Sequence, residues 1–490
     1  MKLSRLLILG ALALLFACPP DARPNPAGQA TTWSDFNFIR DIAASMTHVY
    51  FATSNGITVY NKATRNWEEP LTGTEGIDHR DIQRIWTDRF GERIYARTGT
   101  DLYEYAPLFE RWYPIASLPE IDNDSRYVSP PDMLVMPFGF SYGDPGVMYG
   151  QHNRTFSFNV LLDDGSGDVW IGTWGYGAGH YAPPTNVMEL LPFGLLQDRV
   201  NAIWEEGDTL WVSGAVFGSL RTGVTGFDRD DLSFTYVESG VVAGFPQIDI
   251  NCLTGDKDYL YIGTPDGLYV IHRPSQMVEY QITGRSGLIH DNVISLARNG
   301  DSLFVGTEEG LTILAPEGDS LSFLYPSPLS GLRVWDILPY DSTVWIATEQ
   351  GVFRYFLADG RLQHFRDPQM MLTGDVYAVE IHDSTLWGIS NDGALQLDLV
   401  TGRTQAHRLR IEQVWPNALA VNDSIAAIGG SRGLLFVFYT ADPVFTQRFD
   451  TFDGLPSESI FCLQFDGDFL WIGSDKGLTR FWWNNPRRGY

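Results

Sequence analysis

The 490 residues hold nine histidines with no HExxH or HxH pairing and three cysteines with no paired spacing, so the sequence supplies no zinc ligand set. A GxSxG nucleophile elbow, a phosphate-cradling glycine loop and a Ser-x-Asp-x-Gly-x-Thr-Trp box are missing too. No catalytic residue, no cofactor and no resident metal are therefore expected. Asp163, Asp164, Ser166 and Asp168 have the spacing of a calcium loop, but they fall in phase with Asp256-Lys257-Asp258 and Asp466-Gly467-Asp468, where turn chemistry accounts for them. Cys252 and Cys462 each lie eleven residues before a glycine, Gly263 and Gly473, in the slot that Ser295, Ala378, Ala418 and Ala202 fill elsewhere. They read as small core residues of two units facing each other across a ring, not as a disulfide.

Two irregular stretches point to recognition. An insertion at about 115–155 carries Asp122, Asp124, Phe138, Phe140 and Tyr142, and a glycine-rich loop carries Trp174, Tyr176 and His180. Aromatic rings beside polar groups suit sugars or apolar peptide side chains, so these eight residues form the expected ligand-binding set. Asp266, Glu308, Glu309, Glu349, Asp392 and Asp475 recur in the turn before the glycine, on the same face. They would give that face a negative field, and an enzyme built here would draw its acid and base from them.

The elements that must position these residues repeat along the chain. An apolar run, a small residue, a polar turn and a glycine recur as Leu470 to Leu478 (LWIGSDKGL), Leu260 to Leu268 (LYIGTPDGL), Leu303 to Leu311 (LFVGTEEGL) and Val344 to Val352 (VWIATEQGV). Val49 to Ile57, Val169 to Thr173, Leu386 to Ala394, Ala426 to Leu434 and the weaker Ile94 to Leu102 and Leu210 to Phe217 bring the count to about ten units. A period of roughly 40 to 50 residues is that of a propeller blade. Each unit holds four short strands joined by tight polar turns, an antiparallel meander without helical periodicity. The strands are apolar almost throughout, which predicts sheets covered on both faces. The last unit ends after its third strand, while Thr31 to Phe38 is a spare strand near the start. The expectation is an all-β propeller over 31–490 with about ten four-stranded blades in one ring, closed by an N-terminal strand. Two five-bladed rings, or a smaller ring with units stacked outside it, are the rivals.

Ahead of the repeats, Lys2 and Arg5 precede an apolar run from Leu6 to Ala17, the layout of a signal peptide over 1–17. Leu15-Phe16-Ala17-Cys18 looks like a lipoprotein box, which makes Cys18 the expected lipidation site and 18–30 a proline-rich tether. Release as a soluble protein is the alternative. The net charge of −26 argues against nucleic acid and anionic lipid as partners, leaving the N-terminal lipid as the one membrane contact.

Gly287-Leu288 through Asp291-Asn292-Val293, Gly454-Leu455-Pro456 through Ser459-Ile460, and Asp198-Arg199-Val200, each ahead of an inner strand and a triplet of the LWIGTxxGL kind, resemble the two-component regulator propeller repeat. The resemblance implies a periplasmic sensor-type propeller, often directed at polysaccharide breakdown products. No kinase or immunoglobulin-like segment accompanies the repeats here, so signalling itself is not implied. The leading expectation is an exported, lipid-anchored propeller that binds a carbohydrate, a peptide or an envelope protein on one loop face. A carbohydrate-active hydrolase or lyase and a structural subunit of an envelope complex are the alternatives.

Overall fold

The computed structural model describes residues 30–485 apart from 74–75, 92, 152–153, 217–219, 318–319 and 410–415; the expected signal peptide, Cys18 and all of the expected tether but Ala30 lie outside the described residues. Within them no α-helix occurs, and the strands form ten antiparallel sheets, nine of four strands and one of seven. In chain order, units 1 to 10 span 39–71, 82–115, 126–191, 202–238, 252–282, 293–324, 334–364, 376–407, 416–449 and 460–482. The segment Ala30–Trp33 is the fourth strand of unit 10, paired from Ala30 with Phe481 to Trp33 with Leu478.

Each position of the repeated motif has a local cause. In unit 6, a Cβ on Gly306 would lie 2.2 Å from Ser295 Oγ and 2.7 Å from Val334 of the next unit, so the innermost strands close up only over a small residue. Thr307 Oγ1 donates to the Gly310 carbonyl (2.9 Å) and accepts from Glu309 N (3.3 Å), which pins the hairpin. Gly310 adopts φ +143°, open to residues without a Cβ. Leu311 then enters the core shared with unit 7.

The core is a series of layers between successive units: 4 with 5, 5 with 6, 6 with 7, 7 with 8, 8 with 9 and 9 with 10. The next layer joins Trp471 and Leu478 of unit 10 to Leu210, Val212 and Phe227 of unit 4. A backbone hydrogen bond from Val200 N to the Ser474 carbonyl (2.8 Å) crosses the same seam. The innermost strands of units 10 and 4, Ile460–Asp466 and Ala202–Glu206, also touch there. Units 4 to 10 are therefore a closed seven-bladed β-propeller, within the ordinary size range.

Units 1 to 3 stand outside that ring, in the spatial order 2-1-3. Unit 1 packs on unit 2 through Tyr50, Ile57, Ile85 and Trp112, and on unit 3 through Ile42, Phe51, Leu162 and Trp170. A shared device confirms both orders: a tryptophan and a hairpin acid of one unit take a cation from the next. Trp211, Glu206 and Arg273 link units 4 and 5. Trp471, Asp466 and Arg229 link 10 and 4, and Trp170, Asp164 and Lys62 link 3 and 1.

One ring of about ten blades is thus corrected to a ring of seven with a stack of three. The ten units are present, but the inner strand that meets unit 10 belongs to unit 4 and not to unit 1. The insertion follows from this order, because the chain must cross unit 1 to pass from unit 2 to unit 3. On the way, Asn123 Nδ2 donates to the carbonyls of Ala44 in unit 1 (2.7 Å) and Thr87 in unit 2 (2.8 Å). Leu134, packed with Val128, Met136 and Tyr142, then covers the outer face of unit 3. Cys252 and Cys462 are free thiols in units 5 and 10. With seven blades these units are two places apart, so they do not face each other across the axis.

Candidate functional site at the channel mouth

The innermost strand of each blade has a ladder on one side only, so a partly exposed side chain on it meets solvent in the central channel. One position recurs in all seven blades, just before the residue that pairs with the small residue of the triplet, or with Ile389 in its place in unit 8: Asn201, Asn251, Ile294, Trp335, Tyr377, Asn417 and Phe461. Three are asparagines whose Nδ2 donates to a carbonyl leading into or on the next inner strand, of Ile250 (3.0 Å), Val293 (2.8 Å) and Ile460 (3.2 Å). In units 7 and 8, aromatic side chains stand there instead.

Trp335 Nε1 donates to Asp375 Oδ1 (3.1 Å), and its ring lies 5.5 Å from that of Tyr377. Asn391 Nδ2 donates to the Tyr377 hydroxyl (2.9 Å). On the other side the Arg333 guanidinium lies 4.9 Å over Trp335 and pairs with Glu308. Glu308 also accepts from Asn292 Nδ2 (3.1 Å), whose Oδ1 accepts from Asn251 Nδ2 (3.1 Å). Hydrogen bonds from Asn292 and Arg333, with the positive charge of the latter, hold the Glu308 carboxyl below its usual range. The result is an arc across units 5 to 8 that sets two aromatic rings beside an ionised acceptor, a guanidinium and a carboxamide. Phe461, under the Arg199 guanidinium at 4.2 Å, adds a further ring toward unit 4.

No protein-family model matches the chain, and no curated protein matches it. Among solved structures, the chain is similar to PorZ, described as an essential bacterial surface component of the type-IX secretion system of Porphyromonas gingivalis, at 14% identity and TM-score 0.48 over 91% of this chain and 68% of that one. It is also similar to the extracellular domain of the putative hybrid two component system BT4673 of B. thetaiotaomicron, at 13% identity and TM-score 0.46 over 90% and 70%. A third similarity is to the WD40 propeller domain of Doa1, at 15% identity and TM-score 0.43 over 60% and 96%. The likeness is one of fold.

The eight residues singled out in the sequence do not converge on one surface. Trp174, Tyr176 and Phe140 come together at the hairpin end of unit 3: Phe140 and Phe156 meet the Tyr176 ring edge-on at 5.0 and 5.2 Å, and Trp174 packs on Phe38 at 5.2 Å. His180 pairs across the strands with Trp170, four residues from Trp174, or about 13 Å along the sheet. It bonds Glu189 (2.9 Å) and packs against Trp170 with the rings tilted by 32°. Asp122 and Asp124 lie at that far end as well, where the Asp122 carbonyl accepts from Arg89 N (2.8 Å) and Asp124 pairs with Arg89 (3.4 Å). Tyr142 donates to the Pro131 carbonyl (2.6 Å) on the covered face of unit 3, and Phe138 is fully exposed. The hairpin of Asp163 to Asp168, with the spacing of a calcium loop, is occupied by protein donors. Burial raises the Asp164 pKa, but hydrogen bonds from Lys62, Trp170 and Ser166 outweigh it and hold the carboxyl down at about 2.

Two groups escaped the sequence reading. The mouth arc is one: Trp335 and Tyr377 occupy the slot before Asp336 and Ala378, so aligning the slots would have brought them out. The other is the junction of stack and ring, where buried Arg221 pairs with Glu238 (3.0 Å) and lies over Tyr176 (4.5 Å) and Tyr236 (5.1 Å). Asp35 lies beside it, accepting from Asn37 N (3.0 Å) and Nδ2 (2.6 Å). Burial, with the nearby Asp198 carboxylate, pushes the Asp35 pKa up to about 7. These residues are far apart in sequence and carry no motif.

Proposed function

We propose that the protein is an exported, lipid-anchored recognition propeller that binds a carbohydrate at the mouth of the seven-bladed channel. The observation that carries this reading is the Trp335–Tyr377 pair, two partly exposed rings on adjacent inner strands, each fixed by a polar neighbour. Apolar sugar faces stack on such rings while hydroxyls exchange hydrogen bonds with the flanking carboxylate, guanidinium and amide. The layout of Lys2, Arg5, Leu6 to Ala17 and Cys18 supports export and lipidation. The resemblance to two-component regulator propellers supports a sensor-like role.

Glu308, a mouth carboxylate, is held ionised, so it is excluded as the general acid and turnover would need a second, protonated carboxyl beside it. A general acid must carry a proton near neutral pH. The test is a thermal-shift and calorimetric screen against polysaccharide fragments with wild type and Trp335→Ala. At least one oligosaccharide is expected to raise the wild-type Tm, with affinity at least tenfold weaker in the variant. Equal affinity in both would remove the mouth from the account. Hydrolysis of the fragment, lost in Glu308→Gln while binding persists, would replace it with the enzyme reading.

A further inference from the structure

At the opposite end of the same channel, units 8, 9 and 10 line an open-mouthed cavity of about 580 Å³. Its existence has a sequence cause. Three residues beyond the recurring slot, unit 7 carries Leu338, unit 8 Glu380 and unit 10 Gln464, while unit 9 carries only Ala420. The missing side chain leaves the space, and Glu380, Gln464, Phe465 and Trp483 line it.

Among the described residues, no donor or cation meets the Glu380 carboxylate. Its charged neighbour in unit 7, Asp336, has the same sign and is already committed to Ile337 N (2.8 Å) and Val379 N (2.9 Å). His382, on its own strand, is bonded to Asp423 of unit 9 (2.6 Å) at the rim, and unit 10 faces it with neutral Gln464. Burial first, and Asp336 second, push the Glu380 pKa up to about 8. A half-buried carboxylate without a protein partner is stabilised by a cation. The far wall suits an organic one: the Phe465 and Trp483 rings lie 6.0 Å apart, and the indole is fixed by Nε1 donating to the Gly467 carbonyl (2.9 Å). Aromatic faces attract ammonium and guanidinium groups and stack on the latter.

We propose that this cavity binds an organic cation, the guanidinium or ammonium group of a free amine or of a peptide side chain, with Glu380 as its counter-charge. A divalent metal fits less well, since Glu380 is not part of the His382, Asp383 and Asp423 group whose ligand atoms converge at the exposed rim.

The test is calorimetric titration of the whole mature protein with N-acetyl-arginine methylamide, agmatine, and the neutral N-acetyl-glutamine methylamide. Three proteins are compared: wild type, Glu380→Gln, which removes the charge and keeps the shape, and Ala420→Phe, which fills the space and keeps the charge. Saturable binding of at least one cation is expected, and none of the neutral probe. Both variants should weaken binding at least tenfold, with circular dichroism unchanged for Glu380→Gln. Trp335→Ala, at the other mouth, should leave this affinity within twofold, which separates failure here from failure of the carbohydrate reading. Binding of the peptide mimic alone or of agmatine alone identifies the source, and either supports the site. No binding by either, equal binding by Glu380→Gln, or competition by calcium alone overturns the proposal.

Discussion

The ring of units 4 to 10 and the stack of units 1 to 3 are made from the same repeat, yet one closes and the other ends. Their pairwise interfaces are alike. A Cβ on Gly172 in the stack would meet Ile39 of the next unit at 2.4 Å, as one on Gly473 in the ring would meet Val200 at 2.9 Å. The Trp–acid–cation link also occurs in both. The difference lies at the free faces. In the ring every blade face is covered by another blade. In the stack the outer face of unit 3 is covered by the crossing segment, and unit 2 turns Arg97, Glu104 and Tyr113 outward, half-exposed or exposed. The repeat therefore specifies the sheet and its contact with one neighbour, while closure depends on which units carry two apolar faces and on the strand that seals the last blade.

The comparison can be broken most sharply at that seal. Trp33 is fully buried between units 10 and 4, where it meets Phe227 at 4.9 Å and Trp471 at 5.6 Å. Trp33→Ala should cost about 3–5 kcal/mol of stability in urea unfolding. The exposed Tyr113→Ala should cost under about 0.5 kcal/mol. Equal losses would mean that the two regions are not packed differently.

The next effect separates the regions by pH. The Asp35 pKa in the folded protein, about 7, lies above its unfolded value, so its contribution to stability is complete below about 4 and is lost as pH rises through 7. Across pH 5 to 8 this amounts to on the order of 2 kcal/mol. Asp35→Asn should remove that slope, and hydrogen exchange should place the wild-type loosening at the junction of stack and ring. Asp164 has the opposite sign: its pKa of about 2 means stability that is present above about 4 and lost as pH falls through 2. The smallest effect is local to one hairpin. Thr307→Val removes the bond to the Gly310 carbonyl and should cost about 1 kcal/mol by denaturant titration, without altering the junction.

Much of this was legible in the residues. The VGT-type triplet, the polar turn and the glycine after it mark the second and third strands of nearly every unit, because each residue there answers to a contact within one unit or with the next. The spare strand near the start and the short last unit showed where the ring seals. The order of the units was not legible, because the innermost strands of units 1 and 4 obey the same rules and either could have met unit 10. Lys62, Arg229 and Arg273 sit at one position of the repeat, just after the third strand, which marks them as interface cations without naming the acid each one meets. The crossing segment at 115–155 read as a recognition loop for the same reason: aromatic residues that cover a sheet face look in sequence like aromatic residues that await a ligand. Phe140 and Tyr176 do meet, but His180, Asp122 and Asp124 lie at the other end of the sheet, a separation that only strand register reveals.

The seam between units 10 and 4 carries the whole account, and a cross-link tests it directly. Glu205 and Gln464, on the inner strands of those units, have side chains 3.4 Å apart. With cysteines at these two positions and the chain's other cysteines replaced, a short bismaleimide should give an intramolecular 205–464 cross-link, identified by peptide mass, in most molecules. Its absence, with both thiols accessible and the protein folded, would contradict the seven-bladed ring and return unit 1 to the place beside unit 10.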